Sequence, residues 1–184
     1  MLHFLDPLRE VTTVAVLVRL FFAMICGGAI GIEREHKRRT AGFRTHILIC
    51  LGAAMTTMVS QFLFREMHLY TDIGRLGAQV IAGIGFIGAG TIIVTKRRQV
   101  KGLTTAAGLW TCAIIGLCVG AGYYEAAVLA TIIILLAEIF FSRFEYWVLD
   151  NARNINIYVE YSGTDKLDNL IRTLKTCLLY TSDA

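Results

Sequence analysis

Uncharged, apolar segments alternate along the chain with short, strongly charged ones. Each apolar segment approaches the roughly 20 residues that an α-helix needs to cross a hydrocarbon core of about 30 Å. Because that core offers no water to satisfy open backbone groups, such segments are expected to be helical. The pattern therefore predicts an all-α polytopic membrane protein with about five transmembrane helices, which cover approximately 11–32, 47–64, 78–95, 103–122 and 126–141.

Basic residues are concentrated in two of the loops between these segments. The loop over 33–46 carries Arg34, Lys37, Arg38, Arg39 and Arg44, and the loop over 96–101 carries Lys96, Arg97, Arg98 and Lys101. The loop between the second and third segments has only Arg65 and Arg75, and the loop between the fourth and fifth has no basic residue. Since Lys and Arg accumulate on the cytoplasmic side of a membrane, the N-terminus is expected outside and the C-terminus in the cytoplasm.

The composition agrees with a membrane protein and excludes several other classes. Hydrophobic residues make up 55% of the chain, charged residues 17%, and Pro7 is the single proline. No C-x-x-C or Cys/His spacing indicates a metal site, and the first residues lack the basic region and cleavage site of a signal peptide, so the first span is expected to be retained. No nucleophile–base pair is apparent. An enzyme and a nucleic-acid-binding protein are therefore not expected.

A glycine-rich run at 83–90 matches the G-x-G-x-x-G pattern of dinucleotide-binding folds. That pattern requires a preceding buried strand and an acidic residue about 20 positions on. Here the run lies inside an apolar segment, and 102–110 contains no carboxylate. The better interpretation is a membrane helix whose glycines allow close helix packing, as do two GxxxG pairs elsewhere. The glycines expected to serve packing are Gly27, Gly31, Gly83, Gly85, Gly88, Gly90, Gly116 and Gly120.

The third apolar segment carries a polar and glycine-rich stripe. At 100° per residue, one side of the helix presents Asp72, Arg75, Gln79, Gly83, Phe86 and Gly90. Gly85 and Gly88 face away from that side, so the helix is small on both faces and is expected to be enclosed by neighbours. Substitution of Gly85 by Leu is then expected to disrupt assembly. Asp72 and Arg75 act either as helix cap and surface pair or as part of a polar pathway.

Two ionisable residues lie inside predicted spans. Arg19 is about two turns into the first span, and Glu138 lies near the inner end of the fifth. Charged groups within a bilayer are costly, so each needs a partner or a function. The two residues would neutralise each other if the first and fifth helices were adjacent.

The loop over 33–46 is dense in charges of both signs. The positive-inside rule does not explain Glu33 and Glu35 at the end of one helix, or His46 at the start of the next. The favoured interpretation is a salt-bridge clasp in which the two carboxylates pair with Arg34 and Arg44. A weak Mg²⁺ site remains the alternative, because Mg²⁺ is commonly bound by one or two carboxylates plus waters.

Two further segments have local structural signals. Thr104 or Thr105 is positioned to cap the fourth helix. After 141 the composition changes to an amphipathic exit, an alternating strand-like segment over 155–161 and a helix from Gly163 or Thr164 to about Leu179. One strand and one helix cannot bury a core alone. This unit is therefore expected to assemble with other subunits or to be the start of a longer cytoplasmic domain.

Four ordered motifs resemble the MgtC/SapB family of bacterial inner-membrane proteins. They are Gly-Ile-Glu-Arg-Glu at 31–35, Ala-Gly-Phe-Arg-Thr-His at 41–46, Gly-Ile-Gly-Phe-Ile-Gly-Ala-Gly at 83–90 and Gly-Leu-Thr-Thr-Ala-Ala at 102–107. The resemblance implies a five-helix transmembrane domain over 1–145 and the truncated start of an ACT-like α+β cytoplasmic domain over 146–184. By motif position, it carries over the polar residues Glu33, Arg34, Glu35, Arg44, Thr45, His46, Asp72, Arg75, Thr104 and Thr105.

The resemblance also implies a physiological setting. Family members are associated with growth in low magnesium, acid adaptation and survival inside macrophages, and MgtC-type members act as regulators, including as inhibitors of the proton-translocating ATP synthase. The leading hypothesis is therefore a non-enzymatic regulator without a cofactor, which contacts the lipid bilayer and another membrane protein or its own copies. The rival hypothesis is a divalent-cation transporter or channel, motivated by the polar and ionisable residues of the spans and by the cluster of Glu33, Glu35 and His46.

Overall fold

The computed structural model describes residues 9–10, 12–69, 72–94, 100–150 and 172. Within these residues the chain forms five α-helices and one short antiparallel hairpin. The elements in chain order are α1 (Thr13–His36), α2 (Phe43–Arg65), α3 (Gly74–Thr91), β1 (Ile93–Val94), β2 (Val100–Lys101), α4 (Leu103–Gly120) and α5 (Tyr124–Asp150).

Local sequence explains where several helices begin and end. The side chain of Thr12 accepts a hydrogen bond from the backbone N–H of Ala15 at 3.2 Å and so caps the start of α1. Gly102 precedes α4 with φ of 98°, and Gly122 forms the turn into α5 with φ of 78°. L-residues with side chains rarely adopt these values, which explains glycine at both positions.

Four of the helices are long and apolar enough to cross a membrane. These are α1, α2, α4 and the Tyr124–Phe144 part of α5. The prediction of about five spans is therefore confirmed for four of them. The third apolar segment does form a helix, but Arg75, Gln79 and its many glycines reduce its mean hydropathy, so that its composition alone does not mark it as a span.

The main core of the bundle contains residues from α1, α2, α4 and α5. It includes Ala23, Cys26 and Ile30 from α1, Cys50 and Ala54 from α2, Cys112, Ile115 and Val119 from α4, and Tyr124 and Ala127 from α5. A smaller cluster of Ala53, Ile84 and Ala113 attaches α3 to α2 and α4. The bundle is therefore centred on α2 and α4, with α3 at its side.

The two GxxxG pairs lie where α1 and α4 approach α2. A methyl group at Gly27 would lie 2.7 Å from the carbonyl oxygen of His46, and one at Gly31 would lie 2.7 Å from Cα of Phe43. Methyl groups at Gly116 and Gly120 would overlap the carbonyl oxygens of Cys50 and Ala54. Any side chain at these four positions would push α2 away, so glycine sets the helix separation on both sides of α2.

The expectation that α3 is enclosed on both faces is wrong for this chain. Only Ile84 and Gly88 of α3 are buried, and Gly88 lies against Ala106 of α4. A methyl group at Gly83, Gly85 or Gly90 would meet nothing within 4 Å. The reason is that α3 rests against α4 and α2 through one narrow face. Its opposite side, here called the outer face of α3, consists of the exposed residues Arg75, Gln79, Gly83, Phe86 and Gly90.

The ends of the predicted third and fifth spans differ from the structure. The helix α3 ends at Thr91, and the β-branched Ile93–Val94 pairs with Val100–Lys101 as the hairpin β1–β2, so the apolar run to 95 is not one helix. The helix α5 continues through Asp150 instead of ending near 141. The predicted strand over 155–161 lies outside the described residues, so the described strands provide no support for an ACT-like unit.

The chain divides into two units, Met1–Phe144 and Glu145–Ala184. The first unit contains the helical bundle and its buried charged side chains. Of the second unit, the structure describes the last turns of α5 and residue 172.

Candidate functional site

A buried arginine joins α1 to α5 at the end of the bundle where α1 finishes, here called the Arg34 end. The side chain of Arg34 is 2% exposed. Its Nε donates to Oε2 of Glu33 at 2.7 Å, and its Nη2 forms an ion pair with Oε2 of Glu138. One guanidinium group thus holds a carboxylate on its own helix and another on α5, which is the planar, forked geometry that suits arginine.

Lys37 completes this group of charges. Its Nζ lies 2.6 Å from Oε1 of Glu33 and donates at 2.8 Å to the backbone carbonyl of Glu138. The four residues Glu33, Arg34, Lys37 and Glu138 are here called the charge cluster. Two cations balance two anions, so the cluster is neutral overall, and this balance reduces the cost of burying it.

Glu35 has a different role, because it caps the start of α2. Its Oε2 accepts from the backbone N–H of Phe43 at 3.2 Å. The carboxylate occupies the space next to Gly42 that a Cβ atom would fill. The negative charge also lies at the positive end of the α2 dipole. Glycine at 42 is therefore required for a carboxylate to reach this helix end.

Substitution of Gly42 by Ala is expected to destabilise the protein by about 1 kcal/mol, because the new Cβ displaces the carboxylate that caps α2. The comparison is made by unfolding the purified protein in mixed micelles. Glu35→Ala removes the same cap and should lower the free energy of unfolding by a similar amount. The double variant should then cost little more than either single change, whereas fully additive losses would contradict the shared cap.

His46 lies at the centre of this end of the bundle and is completely buried. Its Nδ1 is 2.9 Å from the carbonyl oxygen of Gly42, and its own carbonyl accepts from the thiol of Cys112 at 3.3 Å. Its Nε2 has no hydrogen-bond partner within the described residues. That atom and Oε1 of Glu138 both lie 3.8 Å from the position that a Cβ at Gly108 would occupy. Sequence reasoning missed Gly108, whose lack of a side chain leaves this space open.

For the charged loop over 33–46, the sequence leaves two alternatives, a salt-bridge clasp and a weak Mg²⁺ site. Glu33 pairs with Arg34 as expected, but Lys37 and Glu138 take part in place of Arg44. Arg44 is exposed and Thr45 half-buried, and both line an open groove between α1 and α2. Among the described residues, no three His, Cys, Asp or Glu side chains are grouped so that they could hold a metal ion. Glu33, Glu35 and His46 therefore do not form one site.

A second buried arginine lies at the opposite end, here called the Arg19 end. Nη1 of Arg19 donates to Oε1 of Gln61 at 2.7 Å and to the carbonyl of Gly120 at 2.8 Å, and Nη2 donates to the carbonyl of Glu10 at 3.3 Å. Gln61 in turn donates to the carbonyl of Ala121 at 3.2 Å. Arg19 therefore satisfies the last carbonyl of α4 and, through Gln61, contacts α2.

The suggested neutralisation between Arg19 and Glu138 does not occur. The partner of Glu138 is Arg34, which lies 15 residues beyond Arg19 on α1, or about 22 Å along the helix axis at a rise of 1.5 Å per residue. The two ionisable residues serve opposite ends of the bundle. Gln61 was missed by sequence reasoning, although a strongly polar side chain within an apolar segment was the available signal.

Of the helix caps predicted from sequence, the one at α3 forms and the one at α4 does not. Asp72 accepts from the backbone N–H of Gly74 at 2.9 Å, which is the capping role considered for it, and Arg75 is exposed. Neither threonine caps α4, because Gly102 occupies the cap position. Thr104 is exposed, and Thr105 is buried and accepts from the hydroxyl of Thr40 at 3.4 Å.

These features define a class of protein: a helical, multi-pass membrane protein with a small-residue core and buried charges at both ends of its bundle. The chain belongs to the MgtC family, whose family model matches residues 20–147. This confirms the resemblance drawn from the four motifs. No solved structure matches the chain.

Several curated relatives are similar over most of the chain. A protein named "Putative magnesium transporter YhiD" from Escherichia coli K12 is 37% identical over 156 residues, which is 83% of this chain and 72% of that protein. Protein SapB of Bacillus subtilis 168 is 34% identical over 87% of this chain and 72% of its own length. Protein MgtC of Salmonella typhimurium 14028s is 44% identical over 67% of this chain and 51% of its own length.

Proposed function

We propose that this chain is a non-enzymatic protein of the bacterial inner membrane that acts in magnesium homeostasis or stress adaptation. It does so by binding another membrane complex through the outer face of α3. Membership of the MgtC family and the magnesium-related name of YhiD support the physiological setting. The observation that carries the contact hypothesis is that the exposed outer face of α3 combines a polar side chain with glycines that leave open space.

The chemistry of this face suits a protein neighbour better than lipid. Gln79 is exposed on α3, and an amide facing hydrocarbon lacks the hydrogen bonds that another helix can supply. Gly83 and Gly90 leave open space on the same face, so that a second helix can approach its backbone closely. Phe86, which is 86% exposed, provides a large apolar side chain between them. A partner helix would bury all three features at once.

The course of α3 supports five crossings rather than four. Near its start, Gly77 faces Leu117 in the last turn of α4, and near its end, Gly88 faces Ala106 in the first turn of α4. The helix therefore runs antiparallel to α4 along its length. With α3 as a crossing, the basic loops after α1 and before α4 both lie on the cytoplasmic side, and the N-terminus lies outside.

Transport of a divalent cation is the rival that the name of YhiD raises. A transporter is expected to have polar groups near the middle of the membrane. In the described bundle, the centre between Arg19 and Arg34 is formed by the apolar side chains of Ala23, Cys26 and Ile30 and their neighbours on the other helices. The buried charges at both ends have partners within the chain. These observations favour regulation by contact over conduction through a single chain.

The partner that the family resemblance implies is the proton-translocating ATP synthase. Another membrane complex or a second copy of this chain would use the same face. The experiment is affinity purification of the full chain from native membranes in a mild detergent, followed by mass spectrometry of stoichiometric partners. It is repeated with Gly83→Leu, which fills the open space on the outer face of α3.

We expect Gly83→Leu to fold normally, because nothing lies within 4 Å of a Cβ atom at this position. The amount of partner recovered with this variant should fall at least tenfold. Gly52→Leu is the matched control. A Cβ atom at Gly52 also meets nothing within 4 Å, but Gly52 lies on α2 and not on the outer face of α3, so this variant should recover the partner in an unchanged amount. A partner retained by both variants would contradict the assignment of this face. Magnesium flux into liposomes containing the purified chain alone, above that of empty liposomes, would instead establish the transporter.

A further inference from the structure

We propose that the groove between the end of α1 and the start of α2 binds one anionic phospholipid of the cytoplasmic leaflet. The exposed arginines at this groove hold the phosphate of the headgroup, and the apolar floor of the groove contacts the acyl chains. The inference uses the membrane orientation proposed above, in which the Arg34 end faces the cytoplasm. It does not depend on the partner of the outer face of α3, because the groove lies between two other helices, so either proposal can fail without the other.

The groove is large enough for a headgroup and the first part of the acyl chains. Its volume is about 770 Å³, which lies within the range of roughly 300–1,000 Å³ that small-molecule pockets occupy. Ile32, Glu35 and His36 of α1 form one wall, and residues 42–45 at the start of α2 form the other. The groove is open to its surroundings, so a ligand can enter without a movement of the helices.

The polarity of the groove changes along the bundle in the same order as in a phospholipid. The exposed Ile32 lies one turn before His36, the last residue of α1. A Cβ at Gly31 would lie 2.7 Å from Cα of Phe43, and a Cβ at Gly28 would lie 3.1 Å from Cε2 of the Phe43 ring. The ring therefore extends towards the middle of α1. The groove is polar at the membrane surface and apolar towards the membrane centre, as phosphate and acyl chains require.

The charge of this region favours an anion over a neutral headgroup. Arg38, Arg39 and Arg44 are exposed, whereas the neighbouring charge cluster is neutral overall. The groove lining also contains the carboxylate of Glu35, but this group already accepts from the backbone N–H of Phe43 at the positive end of α2. The start of α2 is therefore occupied, and the arginines are the groups that can hold a phosphate. Guanidinium groups suit this ligand because they bind phosphate oxygens in a forked geometry.

The backbone of Arg38 supports a role for its side chain. Its N–H donates to the carbonyl of Glu35 at 2.9 Å, and the N–H of Arg39 donates to the carbonyl of Arg34 at 3.0 Å. These bonds end α1 in a motif whose left-handed position is usually glycine, yet Arg38 occupies it with φ of 52°. Glycine would adopt this conformation without steric cost. The arginine is therefore better explained by its cationic side chain, in the turn that joins the two walls of the groove.

The test is native mass spectrometry of the full chain, released from mixed micelles that contain phosphatidylglycerol and phosphatidylcholine in equal amounts. One phosphatidylglycerol per chain should be retained in preference to phosphatidylcholine. Arg38→Gly and Arg44→Gln should each lower the retained phosphatidylglycerol by about fivefold, the factor for one basic residue near an anionic lipid surface. Because Arg38→Gly also relieves the left-handed backbone, a loss of lipid in this variant cannot be assigned to unfolding.

Lys101→Gln is the matched control. It removes one exposed basic residue from β2, on the same side of the membrane in the proposed orientation but away from the groove lining, and should retain the lipid in an unchanged amount. An equal loss in Lys101→Gln would overturn the proposal in favour of a general attraction between basic loops and anionic lipid. Equal retention of the two lipids would exclude recognition of an anionic headgroup. Displacement of the lipid by inorganic phosphate would assign the groove to a soluble phosphate compound instead.

Discussion

Substitution of Arg34 by Ala is expected to lower the free energy of unfolding by about 3–5 kcal/mol, the largest effect of any single change considered for this protein. The guanidinium group is almost fully buried and holds Glu33 on its own helix and Glu138 on α5. Without it, the carboxylate of Glu138 stays largely buried but loses the cation with which its Oε2 is paired. The loss arises mainly from this uncompensated charge rather than from the missing contacts.

The measurement is chemical unfolding of the purified chain in mixed micelles, with two comparisons. Arg44→Ala removes an exposed arginine from the same end of the bundle and should change stability by no more than about 0.5 kcal/mol. The double variant Arg34→Met, Glu138→Leu removes both charges and should recover most of the loss, because a buried ion pair can often be replaced by apolar residues of similar volume. A double variant no more stable than Arg34→Ala would show that the unpaired charge of Glu138 does not cause the loss of stability.

Substitution of Gly116 by Ala is expected to destabilise the bundle by about 1–3 kcal/mol, although alanine favours helix more than glycine does. The added methyl group would overlap the carbonyl oxygen of Cys50 and lie 2.9 Å from Cβ of Ala53. Both atoms belong to α2, and a backbone oxygen within a helix cannot move aside without moving the helix. The helices α2 and α4 would therefore have to separate.

Gly85→Ala is the matched control for this prediction, since it makes the same chemical change in another helix. Nothing lies within 4 Å of a methyl group at Gly85, so the variant should be neutral or up to about 1 kcal/mol more stable. Equal stability of the Gly116 and Gly85 variants would mean that α2 and α4 do not approach as described. By the same reasoning, Gly85→Leu should leave folding intact, which reverses the expectation drawn from sequence.

The contrast between these glycines shows where sequence reasoning succeeds and where it stops. The pairs Gly27/Gly31 and Gly116/Gly120 and the run at 83–90 have the same local signature of small residues in an apolar helix. The first two lie within contact distance of the α2 backbone, while Gly83, Gly85 and Gly90 face open space. Periodicity states which residues share a face of a helix, but it carries no information about which neighbouring helix, if any, covers that face.

The charge cluster illustrates the same limit for polar residues. Glu33 and Arg34 are adjacent in the chain, and Lys37 is one turn away, so their association is a local matter that spacing predicts well. The partner that makes the site specific is Glu138, and its backbone accepts from a lysine 101 residues earlier in the sequence. Arg19 and Arg34 both lie on α1, and nothing in their spacing indicates that Arg34 would face this glutamate.

The sequence by itself therefore determined the class of protein, the family, four helices long and apolar enough to cross a membrane, and the charge asymmetry of the loops. These properties depend on local hydropathy and on ordered motifs, which involve residues that are close together in the sequence. Only the tertiary structure decided that α3 lies at the side of the bundle, that Arg34 rather than Arg19 binds Glu138, and that His46 is buried beside Gly108 of α4. Those facts depend on how helices distant in sequence are arranged around α2. The effect of a glycine or a charged residue is set by the residue that it contacts on the neighbouring helix.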